Sequence, residues 1–199
     1  MIGVGSKKGF PKKEVLKGPI QDELEEVKNY SLSDADIEEV IPDDTVIFKY
    51  PELKNVKDIN EIFDDHGRAI MLFLTNSDTS GHWTAFIKKG KTIEFFDPYG
   101  VKPDDQKKWL SEGKLQELGQ EEDYLTKLLN KAKKDGYKII YNKYPFQIDR
   151  GDINTCGRHI LTRLMLKNLS LPNYKKLILA SKVSPDEFVS LFINDFLGK

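Results

Sequence analysis

At 199 residues, with 39% hydrophobic and 32% charged residues, the chain can bury a sizeable core and has the make-up of an ordinary soluble globular protein. Its longest apolar run, "AIMLFL" at 69–74, is too short to span a bilayer. One cysteine excludes an internal disulfide and speaks against a clustered zinc site, so a reducing, intracellular setting is expected.

The net charge of −1 hides an uneven distribution. Residues 1–19 carry five Lys and one Glu (+4), residues 20–66 carry four Lys against fifteen acids (−11), and residues 67–199 therefore carry +6. Solvated faces of mixed sign account for this; a basic half that attracts polyanions is the sharper alternative.

In chain order, residues 1–20 combine Gly, Pro and Lys without apolar periodicity, and read as an extended arm ahead of a single domain over 21–199. The lysine-rich start lacks the apolar stretch of a secretory signal. "SLSDADIEEVI" predicts a helix capped by Ser33, with Asp36 three residues on and Pro42 as the stop. "TVIFKY" (45–50) reads as a strand and "VKDINEIF" (56–63) as one short helix. "AIMLFL" has the unbroken apolar character of a buried strand, "WTAFIK" and "TIEFF" flank a Lys-Gly turn, and "YKIIY" (137–141) is a further strand. "DDQKKWLSEGKL" and "EDYLTKLLNKAKK" read as helices. A helix runs from Cys156 to about Leu169 with Ile160, Leu161, Leu164, Met165 and Leu169 on one side. A last helix opens at "SPDE", with Ser184 as cap, Pro185 in the first position and Glu187 closing a capping box. Its apolar face is expected at Phe188, Leu191, Phe192 and Phe196. The fold class is α+β, a small mixed sheet packed between helices.

The hairpin sets up the chemistry. If Lys89-Gly90 forms a two-residue turn, His82 lies directly opposite Asp97, Trp83 opposite Phe96, and Phe86 opposite Ile93. Opposed side chains lie within reach of an imidazole–carboxylate hydrogen bond, which would fix the tautomer and leave the other ring nitrogen free as a base. Taken singly, His82 is an ordinary polar residue and Asp97, in "DPYG", a turn former.

Cys156, at the start of a helix, is open to two readings. It is either a buried residue packing its helix or a thiolate favoured by the helix N-terminus and a neighbouring imidazolium. Gly157 beside it would let a substrate backbone approach. Gln147, nine residues ahead, has an amide suited to an oxyanion, with Asn154 as a competitor. Of the other histidines, His159 is expected to point into the helix body and His66, in "DDHGR", to sit in an exposed turn. No spacing makes a convincing metal site.

The ordered pieces "GHWTAF", "EFFDPYG", "YPFQ" and "TCGRH", spread over residues 69–169, resemble adenain-type and SUMO-protease-type cysteine proteases (clan CE). The wording "NTCGRHILTRL" most resembles capsid-maturation proteases of virophages, Polinton-type elements and large DNA viruses. The resemblance implies a papain-like, adenain-like core with His82 as general base and acid, Asp97 as its orienter, Cys156 as nucleophile and Gln147 as oxyanion donor. Trp83 would shield the triad or line the cleft, a core position being the alternative. Two departures stand out: Thr155 replaces an acid common before the cysteine, and the Gln-to-Cys interval is longer than usual.

The implied function is an endopeptidase that cleaves capsid precursor proteins at small, Gly-containing sites, as a monomer, in the virion and the host-cell cytoplasm. No cofactor is implied beyond an activating peptide or DNA, and no membrane partner. A deubiquitinase or SUMO-type isopeptidase, or a non-enzymatic capsid-binding module, are the other readings. "MIGVG" resembles an adenain-type cleavage site, which suggests self-trimming after Val4.

Overall fold

A computed structural model describes residues 19–41 and 44–197. Most of the expected 1–20 arm, and the Val4 trimming site, lie outside these residues. Residues 19 and 20 are helical, because α1 (Pro19–Asn29) begins there. Pattern alone does not announce this helix, whose apolar positions among the described side chains are Leu24 and Val27.

The sheet is five-stranded and mixed, as expected. Strands β1 (Val46–Lys49), β2 (Arg68–Ser77), β3 (Ser80–Lys89), β4 (Thr92–Phe96) and β5 (Lys138–Tyr141) lie side by side in chain order. The β1–β2 and β4–β5 pairs are parallel, and the two central pairs antiparallel. Both faces are covered, which explains the unbroken apolar run of β2. Ile70, Leu72 and Leu74 point to one core, Ala69, Met71 and Phe73 to the other.

The first core is closed by α2 (Asp34–Val40), α5 (Cys156–Met165), α6 (Leu171–Ala180) and α7 (Pro185–Leu197). The second is closed by α4 (Tyr124–Lys134) and by 3₁₀ turns at Tyr50–Asn55 and Ile59–Ile62. The short helix expected over 56–63 is thus a 3₁₀ turn. "DDQKKWLSEGKL" divides into a 3₁₀ turn at Asp105–Trp109 and a short helix, α3 (Glu112–Glu117), capped by Ser111.

Both predicted capping boxes form. Ser33 and Asp36 close α2, and the Ser184 and Glu187 side chains and backbone N–H groups bond reciprocally at α7.

Three features differ from expectation. The cysteine helix stops at Met165, and α6 follows under its own Ser170 cap with only Tyr174 and Ile178 fully buried. On α7 the core face is Val189, Ile193 and Leu197, whereas Leu191 and Phe196 are exposed. Phe188 and Phe192, also of the expected face, are half-buried against the same core and stack on one another at 6.0 Å.

The third difference is the hairpin register. The turn residues are Gly90 and Lys91, with Gly90 at φ +54, as a type II′ turn requires of its first central residue. Pairing is therefore displaced by two: Ala85 faces Phe96 and Phe86 faces Phe95. Because side chains alternate with period two, this displacement keeps His82 and Asp97 on one face, now as diagonal neighbours.

Helix α5 lies against β3 with its whole first two turns buried. It is pinned to β4 by Arg163, whose Nε and Nη2 donate to Glu94 at 2.7 and 2.9 Å, and whose remaining donors reach the carbonyls of Leu166 and Leu169. Replacing Glu94 by Ala leaves a buried guanidinium without its counter-charge. The expected loss is about 3–5 kcal/mol, measured as a lower urea midpoint at unchanged slope.

Candidate active site

β3 begins and β4 ends at the same rim of the sheet, and the N-terminus of α5 arrives there from the first core face. His82 is the third residue of β3, Asp97 directly follows β4, and Cys156 is the first residue of α5. Their side chains meet: His82 Nε2 lies 3.2 Å from Asp97 Oδ1, and the Cys156 sulfur lies on the same cleft close enough for imidazole and thiol to shift one another's titration. With Nε2 occupied, Nδ1 is the nitrogen left for the thiol.

Asp97 is both a turn former and an acid. Its carbonyl accepts the Gly100 N–H at 2.8 Å, closing the "DPYG" turn. Gly100 has φ +71, and a Cβ there would lie 2.8 Å from the Tyr144 backbone, so glycine is required twice over. The Asp97 carboxylate is fully buried and well supplied with donors: Tyr99 N–H at 2.8 Å on Oδ1 and Gln106 Nε2 at 2.5 Å on Oδ2. Asn142 grips its backbone, Nδ2 donating to the Asp97 carbonyl and Oδ1 accepting its N–H.

Burial opposes charge on His82 and Cys156 alike. For His82 that burial is outweighed by the Asp97 charge and hydrogen bond and by Cys156, which push the imidazole up to about 10. For Cys156 burial raises the thiol, but the His82 hydrogen bond and charge and the backbone N–H groups of Trp83 and Gly157 bring it below the ordinary thiol range. Both shifts run in the direction of a thiolate–imidazolium pair.

The pair opens into a cleft of about 610 Å³ lined among others by Ser31, Tyr99, Trp109, Gln147, Asp149 and Asn154. Tyr99 stacks on the imidazole, 4.8 Å between centroids, and Trp109 meets it edge-on at 5.3 Å. Gln147 is brought to the same cleft by its own N–H and that of Phe146, both donating to the Pro98 carbonyl. Its Nε2 donates one proton to the Ile153 carbonyl at 3.2 Å, which leaves a second N–H on the amide. Asn154, the competing amide, is turned away to the Asn29 carbonyl at 2.9 Å.

Of the remaining residues, Trp83 takes the core alternative and Gly157 departs from expectation. Trp83 lies in the core, 3% exposed, with Nε1 donating to the Leu32 carbonyl; aromatic cover of the imidazole comes from Tyr99 and Trp109. Gly157 makes room for protein and not for substrate, since a Cβ would lie 3.0 Å from Leu32 Cβ. His159 does point into the helix body, where Nε2 meets Asp186 Oδ1 at 3.0 Å, and His66 sits in an exposed turn beside Asp44. Among the described residues no His, Cys, Asp and Glu group is arranged to hold a metal ion.

The acidic segment also finds its place. Residues 28–33 cross the N-terminus of α5 as a strap: the Lys28 carbonyl accepts from Asn154 N–H, the Tyr30 carbonyl from Arg158 Nη1 and the Leu32 carbonyl from Trp83. Sequence reading missed Gln106, Asn142, Trp109 and this strap, none of which carries a local signature. Tyr99 lay inside the quoted "DPYG" and was within reach.

Alkylation of Cys156 by a small neutral electrophile, followed by intact mass, is expected to stay rapid well below pH 8. In His82→Ala the rate should follow an ordinary thiol titrating near about 8.5.

No family model matches the chain. Solved structures of the SUMO protease Ulp1, with its catalytic cysteine oxidised to a sulfinic or a sulfenic acid, align over 87% of this chain and 76% of theirs, at 18% and 16% identity and TM-scores of 0.36 and 0.35. "Uncharacterized protein V9" of the Sputnik virophage is 34% identical over 174 residues, covering 85% of this chain and 97% of that protein. The chain belongs to the same family as this virophage protein.

Proposed function

We propose that the protein is a cysteine endopeptidase using Cys156, His82, Asp97 and Gln147. The observation that carries this reading is the meeting of Cys156 and His82 on one open cleft, with the imidazole Nε2 3.2 Å from the buried Asp97 carboxylate. A merely structural cysteine has no need of a charged imidazole beside it, and burial would penalise that charge.

The thiolate attacks the carbonyl carbon of the scissile peptide, forming a C–S bond while the carbonyl electron pair moves onto oxygen. The resulting oxyanion takes hydrogen bonds from the Cys156 N–H and the second Gln147 amide proton. On collapse the C–N bond breaks and His82 gives its proton to the departing amine. Water then attacks the acyl-enzyme, His82 removing its proton, and the thiolate is released with the acid product. Asp97 stays ionised throughout, holding the ring in place.

Virus-particle precursor proteins are the proposed substrates. Membership of a virophage protein family supports this, together with the motif wording of the chain. Cleavage at small, Gly-containing sites within virions and the host cytoplasm is part of the same proposal.

The test is hydrolysis of Gly-containing peptides from capsid precursors beside a ubiquitin-like fluorogenic substrate, each with and without DNA. Cleavage of the capsid peptides, abolished by Cys156→Ala, is expected. Turnover of the ubiquitin-like substrate alone would replace the substrate assignment, and cleavage surviving Cys156→Ala would overturn the enzyme reading. Gln147→Ala should lower kcat by about 10²–10³-fold with little change in KM. Activity should decline as pH rises through about 10, where His82 loses the proton it must donate.

A further inference from the structure

Asp186, in the first turn of α7, is 1% exposed and holds three groups from the other wall of the site. Its Oδ1 accepts the Thr155 hydroxyl and faces His159 Nε2 at 3.0 Å; its Oδ2 accepts the Ile148 N–H at 3.1 Å. Thr155 directly precedes Cys156, and Ile148 directly follows Gln147. One buried carboxylate therefore ties together the two chain segments that carry the proposed oxyanion donors.

The Thr155 hydroxyl matters in a second way. Thr155 occupies the cap position of α5 yet makes no side-chain cap hydrogen bond. Ordinarily a cap hydroxyl would take the N–H two or three residues on, here Gly157 or Arg158. The hydroxyl is instead oriented by its donation to Asp186, and the uncapped Gly157 N–H is among the groups that lower the Cys156 thiol.

We propose that Asp186 is a positioning residue of this enzyme, fixing the Gln147 amide and the Cys156 N–H at the separation an oxyanion needs. It touches no reacting atom. The role rests on the protease reading above and goes beyond it by assigning the oxyanion geometry to the C-terminal helix.

The test compares wild type with Asp186→Asn, which keeps one acceptor oxygen, and with Thr155→Val, which removes only the hydroxyl tether. Three quantities are measured: kcat and KM on a cleaved peptide, affinity for the corresponding peptide aldehyde, and the Cys156 alkylation rate at a pH where the thiol is fully ionised. The aldehyde reports the oxyanion site, because the Cys156 sulfur adds to its carbonyl carbon and the oxygen takes the electron pair. Alkylation by a small electrophile reports only the thiolate. Thermal unfolding confirms that each variant is folded.

For Asp186→Asn the expected result is a loss of about 10²-fold in both kcat and aldehyde affinity, with KM and alkylation within about threefold of wild type. Thr155→Val should show the same signature more weakly, and serves alone if Asp186→Asn does not fold. Unchanged aldehyde affinity in both variants would overturn the role. So would alkylation falling in step with kcat, which would mean a general disturbance of the nucleophile. A wild type that neither cleaves peptide nor captures aldehyde would instead remove the protease reading itself.

Discussion

The contact on which the site depends is the one between His82 and Cys156. Both groups are buried, and burial works against charge on either. An ion pair survives there only if it is hydrogen-bonded on every side, because an unpaired charge in such a place would neutralise instead. The surroundings answer that requirement. Asp97 takes the outer face of the imidazole, and backbone N–H groups of Trp83 and Gly157 face the sulfur. Tyr99, Gln106 and His82 together supply Asp97 with donors at both oxygens. Removing any one of these shifts its burden to the remaining contacts, so their effects should not add.

Positioning follows from a sheet covered on both faces. His82 and Asp97 project to the face of the second core, whereas Cys156 enters from helix α5 in the first. They meet only at the rim, where the strands end and side chains from either side can reach around. The strap at residues 28–33 closes that rim from outside, bonding to Asn154 and Arg158 on both sides of the cysteine and to Trp83 beside the histidine. Leu32 packs where a side chain on residue 157 would stand. The glycine after the cysteine is thereby explained by packing, a constraint that comes from 125 positions earlier in the chain and that no local pattern announces.

What was legible in the sequence was what depends on short-range chemistry. Ser33 with Asp36 and Ser184 with Glu187 mark helix starts by reciprocal caps, and both form. "AIMLFL" read as a buried strand because both its faces are covered. The His82–Asp97 meeting was reached by a register wrong by two, and the pair still meets because a shift of two preserves the face. A shift of one would have separated them. Gln106 was hidden because its segment has the composition of a helix but forms a 3₁₀ turn. That turn is held by Asp104, whose carboxylate accepts from Tyr50 at 2.6 Å and from Thr126 N–H at 2.7 Å. The expected face of α7 holds in part: Phe188 and Phe192 pack half-buried against the core, but Val189 and Ile193 are the fully buried residues and Leu191 and Phe196 are exposed.

Thr155 illustrates how a departure from a motif is absorbed in three dimensions. The resemblance leads one to expect an acid in that position, and the residue there is a hydroxyl bonded to the carboxylate of Asp186. The negative charge is thus kept close to the helix start but moved one side chain further from the nucleophile. Distance matters here, because a carboxylate adjoining the thiolate would raise the thiol and weaken it as a resting anion. At the far end of Thr155, the same carboxylate is instead held by an N–H of the Gln147 loop and faced by an imidazole, which satisfies it without bringing like charges together. The capping box of Ser184 and Glu187 then sets the angle at which α7 delivers Asp186. A local cap more than thirty residues from Gln147 becomes part of the geometry around it.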